Sequence, residues 1–258
     1  MQLGEVPALD LRGLVKSFGP KTAVNGLSLQ VPRGSLYGLV GPNGAGKTTT
    51  LSMATGLLRP DVGSAAVVGH DVWSDPAGAK ALMGVLPDGV RLFDRLSGRE
   101  LLRYVGLLRS VPQQVVAERT EQLLDALGLH GDGNTLVVDY SAGMTKKIGL
   151  ACALIHTPRL LVLDEPFEAV DPVSGEAIRT ILRSYVGSGG TVILSSHVME
   201  LVEQLCDRLA IVIAGQVVVQ GTTDEVRAGQ SLQQRFLDLV GVQAADPRGL
   251  SWLQSSSD

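Results

Sequence analysis

The chain has 258 residues, 45% of them hydrophobic, which supports a sizeable core and excludes global disorder. Its formal net charge is −4 and it carries no long basic run, so nothing points to a dedicated nucleic-acid binder. Cys152 and Cys206 sit in apolar helical contexts, GLACALI and LVEQLCDRL, without metal-type spacing. They read as reduced, buried thiols of a cytosolic protein. The start, MQLGEVPALDLRG, has neither the basic region nor the apolar core of a leader. No run reaches the about 20 apolar residues of a spanning helix. The closest, RLAIVIAGQVVVQG, is broken by Gly215 and Gln216 and reads as two strands joined at Ala214–Gly215. Any membrane role therefore comes through a partner chain.

In chain order, residues 8 to 35 alternate apolar and polar over short runs with Gly and Pro punctuation, predicting antiparallel strands. SLYGLV, 35 to 40, is a short buried strand that runs into GPNGAGKT and then a helix, TTTLSMATGLL. GSAAVVG, 63 to 69, predicts a strand ending in a turn, and MGVLP, 83 to 87, a strand of the main sheet. From 97 to 157 the pattern is helical. Leu101, Leu102, Val105 and Leu108 share one face of a helix that opens with Ser97 and Glu100 as a capping box. Leu123, Leu124 and Leu127 mark a second helix closed by Gly128, and residues 141 to 156 form a third. RLLVLDEP and GTVILSSH are buried strands that end in polar residues. SLQQRFLDLVG is a closing helix, and the Ser-rich end LSWLQSSSD is expected to fray. Strands alternating with helices around a phosphate loop predict an α/β fold. It is a P-loop NTPase core with a mainly parallel sheet, an N-terminal antiparallel β subdomain and an inserted helical subdomain at about 89–157.

Gly41-Pro42-Asn43-Gly44-Ala45-Gly46-Lys47-Thr48 matches G-x4-G-K-[ST] throughout. Glycines let the backbone wrap a phosphate with its N–H groups inward, and the following helix presents its N-terminus to the anion. Lys47 brings a positive charge to the β/γ-phosphates, and the Thr48 hydroxyl can ligate Mg²⁺. Thr49, next in the first turn, is counted with the nucleotide contacts. LLVLDE, 160 to 165, reads as the Walker B strand. Asp164 would hold Mg²⁺ through water and Glu165 would polarise the attacking water as general base. The expected cofactors are thus ATP and Mg²⁺.

Ser141 to Met144, after Tyr140, stands where ABC ATPases carry their LSGGQ signature, keeping Ser141 and Gly143 and departing at Tyr140, Ala142 and Met144. Ser141 is either an anion-binding helix start or a plain N-cap. Over residues 8 to 240 the chain resembles the nucleotide-binding domain of an ABC transporter, with motifs in family order. The closing helix is similar to that of bacterial drug-type exporters. The resemblance implies an ATP hydrolase that powers transport through separate integral-membrane permease subunits. It also implies a homodimer or a pair with a related ATPase subunit, no nucleic-acid partner, and a cytoplasmic position peripheral on the inner face of the cell membrane. Residues 1–240 would be the ATPase domain and 241–258 a tail. His197 takes the place of the switch histidine, against the alternative of a structural residue. Asp171 is kept from the D-loop, and Phe18 stands where an aromatic stacks on adenine. Asp88 replaces the Q-loop glutamine and either ligates Mg²⁺ or points to solvent. Leu92 and Phe93, beside Arg91, Asp94 and Arg95, either meet the membrane subunit or anchor the helical subdomain. In the composite site implied, Phe18, Lys47, Thr48, Asp164, Glu165 and His197 of one subunit face Ser141 and Gly143 of another.

An alternative is a soluble ABC ATPase that drives assembly or remodelling of a protein complex. An ABC protein of ribosomes or DNA is disfavoured by the single cassette and the absence of heptads or a cysteine cluster. A GTPase is disfavoured because no N-K-x-D motif follows the P-loop, and a small-molecule kinase would leave the signature and His197 unexplained.

Overall fold

The computed structural model describes residues 6–89 and 91–241, so the expected frayed tail lies outside the described residues. The chain opens with β1 (Leu9–Phe18) and β2 (Lys21–Val31), paired antiparallel from Leu9↔Val31 to Phe18↔Lys21. β3 (Leu36–Val40) is buried at every position and runs into α1 (Lys47–Ala54). That helix is shorter than the run TTTLSMATGLL because Gly56, at φ 75 just after Thr55, leaves the right-handed region. β4 (Val62–Val67) pairs antiparallel with β1, and β5 (His70–Asp71) extends that sheet. α2 (Pro76–Ala81) leads into β6 (Met83–Leu86).

Three helices follow between β6 and the next strand, as the pattern predicts: α3 (Gly98–Leu108), α4 (Gln113–Ala126) and α5 (Ala142–Leu154). Ser97 and Glu100 form the expected capping box at α3, and Gly128 ends the α4 region in the left-handed conformation. Leu101 and Leu102 are buried, but Leu108 is 69% exposed, against the face assigned to it. α3 meets its neighbours at Gly106, where a Cβ would stand 2.8 Å from Val116, and it ends at Leu108, beyond the contact. Leu92 packs against the larger core while Phe93 stays 56% exposed, its ring edge-on to Tyr104 at 5.3 Å. Leu92 thus anchors this segment to the core, and Phe93 lies on the surface.

β7 (Leu160–Leu163), α6 (Pro172–Gly187), β8 (Thr191–Ser196), α7 (Met199–Leu205), β9 (Arg208–Ile213), β10 (Gln216–Thr222), α8 (Thr223–Arg227) and α9 (Leu232–Val240) complete the described chain. α2, α6, α7 and α8 are additional to the helices that the pattern predicts. The larger sheet has the order β10-β9-β3-β8-β7-β6 and is parallel except for the β9–β10 hairpin. That hairpin turns at Ala214 and Gly215, both at positive φ, as expected from the sequence.

Strand periodicity sorts the core into two layers. Leu160 and Val162 of β7, with Ile193 of β8, join the cluster between the two sheets, where α1 also buries Leu51 and Met53. Leu161, Leu163, Val192 and Leu194 join the cluster on the opposite face, under α3 to α7 and α9. Both faces of the parallel sheet are covered, which is why its strands read as unbroken apolar runs. Each fully buried leucine contributes roughly 1.5–3 kcal/mol relative to exposure. Both cysteines are free, and burial pushes the Cys152 thiol up to about 12 and raises that of Cys206 as well. Among the described residues no helix is long and apolar enough to cross a membrane.

Candidate active site

β3, β8 and β7 lie side by side and parallel, so the segments after them emerge at one edge of the sheet. They deliver the loop 41–48, His197, and the pair Asp164–Glu165 to one place. Ligands of open parallel sheets bind at this edge. The loop after β3 leads into α1 through Gly46, at φ 101, where a Cβ would collide with the Ala23 carbonyl oxygen. A left-handed residue with no room for a side chain has to be glycine. Gly46 offers α1 no side-chain cap and no acid stands in its first turn. The first N–H groups are therefore free for an anion.

A cavity of about 480 Å³ lies over this helix start. It is lined by the loop and helix residues 43–49, by Phe18, Lys21 and Ala23 on one side, and by Asp88, Glu165, Glu168 and His197 on the other. Gly41 and Pro42 take a different part: their carbonyls accept from Lys47 Nζ at 2.8 and 3.3 Å. The same ammonium stands 3.6 Å from Glu165 Oε1. His197 Nδ1 is 3.1 Å from Glu165 Oε2, and with a side chain 38% exposed the imidazole is no core histidine. Glu165 is thus flanked by a cation and an imidazole at the cavity wall. Phe18 is 52% exposed, its ring centroid 5.8 Å from the Lys16 ammonium, a contact of about 0.5–1 kcal/mol at an exposed position.

Asp164 lies beneath the cavity and is almost fully buried. Burial raises its carboxyl above the usual carboxylate range, hydrogen bonds from Ser195 and Thr48 oppose that rise, and the charges of Asp88 and Glu165 add to it. Ser195 carries no signal in the sequence beyond a strand that ends in two serines. Its buried hydroxyl donates to Asp164 Oδ1 and accepts the Glu165 amide at 2.9 Å, fixing the two acids relative to each other. A carboxylate and a threonine hydroxyl in contact are hard oxygen donors that fit Mg²⁺. No group of three His, Cys, Asp or Glu side chains among the described residues could hold a metal by itself. This donor set suits an ion that brings phosphate and water oxygens with it, not one caged by protein alone.

Asp88 faces the site and not open solvent alone. Its carboxylate, 44% exposed, stands 3.5 Å from Lys146 Nζ. Such a half-exposed pair contributes at most about 1 kcal/mol. Lys146, also missed in the sequence, donates to the Glu165 carbonyl at 2.9 Å. Glu165 itself has φ 45, an uncommon region for a residue with a side chain.

Ser141, Gly143 and Asp171 are not brought to the cavity of the single chain. Ser141 caps α5, its hydroxyl accepting the Met144 amide at 3.2 Å, and is exposed. Asp171 caps α6, taking the amides of Val173 and Ser174 at 3.0 Å each. Gly143 packs against that cap, with a Cβ position 2.9 Å from Asp171 Oδ2. The three residues form a second cluster on their own surface.

Known proteins agree with this geometry. The family model for ABC transporter matches residues 24–168. The daunorubicin/doxorubicin resistance ATP-binding protein DrrA of Streptomyces peucetius is 39% identical over 221 residues, 86% of this chain and 67% of that protein. The linearmycin resistance ATP-binding protein LnrL of Bacillus subtilis is 35% identical over 84% of this chain and 70% of its own. A Nod factor export ATP-binding protein I of Burkholderia orbicola is 39% identical over 95% of this chain and 79% of its own. A solved ATP binding subunit of an ABC transporter superposes with a TM-score of 0.84 at 26% identity, over 90% of this chain and 99% of that one. With a glycine-rich loop leading into a helix, a buried aspartate and a glutamate–histidine pair at one sheet edge, the chain belongs to the ABC transporter family, as an ATP-binding subunit that hydrolyses ATP.

Proposed function

We propose that this chain energises an exporter whose membrane-spanning path lies in separate permease subunits. The observation that supports hydrolysis as its source of energy is the placement of Lys47 and His197 on either oxygen of Glu165, at the uncapped start of α1. Phe18 would stack on adenine at the outer end of the cavity. The free N–H groups of α1 and the Lys47 ammonium would take the phosphates. Thr48 and Asp164 would hold Mg²⁺, which would neutralise charge on the β- and γ-phosphate oxygens. Glu165 would accept a proton from the attacking water, and His197 would hold its carboxylate in line. Catalysis is then mainly positioning and charge stabilisation.

A second subunit, a copy or a relative, would bring Ser141 and Gly143 against the bound nucleotide, with Asp171 behind them. ATP between two such surfaces favours the dimer by mass action, and hydrolysis removes that linkage. The names of the relatives, drug resistance and Nod factor export, favour outward transport. Exposed Phe93 and Tyr104, rimmed by exposed Arg91, Asp94 and Arg95, fit a docking surface for the permease. The chain would then sit at the inner membrane face through that partner.

The test is purification of the Glu165→Gln chain with its associated proteins from detergent-solubilised membranes. Expected is a stoichiometric polytopic partner and a dimer that forms with ATP and persists. Recovery of the chain alone, monomeric with ATP, would sink the reading.

A further inference from the structure

Lys146 lies on the second turn of α5, the helix that Ser141 opens. Its side chain is only 13% exposed and has two partners from other parts of the chain. One is the carbonyl of Glu165, at 2.9 Å; the other is the carboxylate of Asp88, at 3.5 Å, in the segment after β6. One cation thus ties the signature helix both to the backbone of the proposed base and to the position where the family carries a glutamine. Asp88 also looks the other way. It lines the nucleotide cavity, and its charge is felt by Asp164.

Asp88 therefore stands between a fixed ammonium on one side and the Thr48–Asp164 pair on the other. A half-exposed ion pair with a single charge is a weak competitor for a carboxylate when a divalent cation comes within reach. We propose that Lys146 is a positioning residue that competes with Mg²⁺ for Asp88. Without the metal, the Asp88–Lys146 pair fastens α5 to the segment after β6. When Mg²⁺ enters with the nucleotide, Asp88 turns to it, the fastening opens, and Lys146 remains on the Glu165 carbonyl alone. Metal loading would thereby release one of the two ties that Lys146 makes from α5, the helix whose start would close over a partner subunit's nucleotide. The inference rests on the reading of Thr48 and Asp164 as the metal-binding pair.

The experiment is a Mg²⁺ titration of the binding of a fluorescent, non-hydrolysable ATP analogue to the full chain. It compares the wild type, Lys146→Gln, Asp88→Asn and the double variant. Glutamine keeps a donor for the Glu165 carbonyl and removes the charge. Expected is that Lys146→Gln lowers the Mg²⁺ concentration at half-saturation about 5-fold, the scale of a half-exposed ion pair. In the Asp88→Asn background the same substitution should change nothing, and Lys146→Arg should restore the wild-type value. A half-saturation point unmoved by Lys146→Gln, or moved equally with and without Asp88, overturns the inference. Should Lys146→Gln fail to fold, judged by circular dichroism, Lys146→Arg and Asp88→Asn still decide. Asp88→Asn must raise the half-saturation concentration, and an unchanged value overturns the inference. A wild-type chain whose nucleotide binding ignores Mg²⁺ would overturn both this inference and the metal reading beneath it.

Discussion

Two helix starts in this molecule use the same backbone chemistry to different ends. α1 begins at a left-handed glycine that offers no cap, inside a walled cavity with Lys47 turned inward. α5 begins at Ser141, whose hydroxyl already takes the Met144 amide, on an exposed surface with Asp171 and Ser174 behind it. Each end of an α-helix leaves N–H groups without partners. At α1 no side chain among the described residues caps them, and the surroundings hold the Lys47 ammonium. At α5 the chain caps itself, and the start faces outward. Of these two starts, only the one that is left uncapped and enclosed lines a cavity within the single chain.

The largest expected effect tests the enclosed start. Glu165→Gln should lower ATP hydrolysis by about 10²- to 10⁴-fold while nucleotide binding to the purified chain persists, as read by phosphate release and by fluorescence titration. Loss of both together would mean that Glu165 holds the site together and does not act on water. Next comes the open start. Ser141→Ala should cut hydrolysis by about 10- to 100-fold, the weight of one hydrogen bond to a charged group, with single-subunit binding intact. It should also cost about 1 kcal/mol of stability through the lost cap. A drop in nucleotide affinity of the monomer would break the comparison, because it would place Ser141 in the chain's own site.

Smaller effects sharpen the charge balance around α1. Asp88→Gln should reduce the ratio of ATP affinity with and without Mg²⁺ by ~3-fold, since it removes one negative charge from the cavity wall. An unchanged ratio in isothermal titration would remove Asp88 from the metal's surroundings. The smallest effect concerns Asp164, whose carboxyl is raised above its unfolded value of 3.8, chiefly by burial. A raised carboxyl favours the folded state most when protonated, and that contribution is lost as pH rises through the folded value. In metal-free protein, Asp164→Asn should therefore raise the Tm at pH 7 by ~2 °C, the scale of a change under 1 kcal/mol in a chain of this length. The gain should vanish as pH falls below about 4, where the wild-type carboxyl is protonated as well. A gain that is equal at both pH values would mean that the carboxylate's charge is not what burial penalises.

Much of the fold was legible because its signals are local. The capping box of Ser97 and Glu100, the left-handed Gly128 and the Ala214–Gly215 turn act over a few residues and appear as expected. Leu108 was misread because helical periodicity gives a face but not the point where a neighbouring helix stops covering it. α6 was readable in principle, from Asp171 as cap, Pro172 in the first turn and the apolar stripe of Ile178, Ile181, Leu182, Tyr185 and Val186. In the site, the loop 41–48 was fully legible. Ser195 and Lys146 were not, since a serine at a strand end and a lysine on a helix are ordinary until their partners are known.

The sequence by itself determined a phosphate-wrapping loop, two acids ending one buried strand and a histidine ending another. These depend on contiguous residues and on the alternation of apolar side chains. Only the tertiary structure decided that Glu165 meets His197, 32 residues on, and that the Ser195 hydroxyl reaches the Glu165 amide across 30. The pairing of β7 with β8, from Leu160↔Thr191 to Leu163↔Leu194, sets these contacts. A strand slipped by one residue would send the same side chains to the opposite face. Packing also set Lys146 of the inserted helices against Asp88 and the Glu165 backbone, because nothing along the chain links those three residues except the core that folds them together.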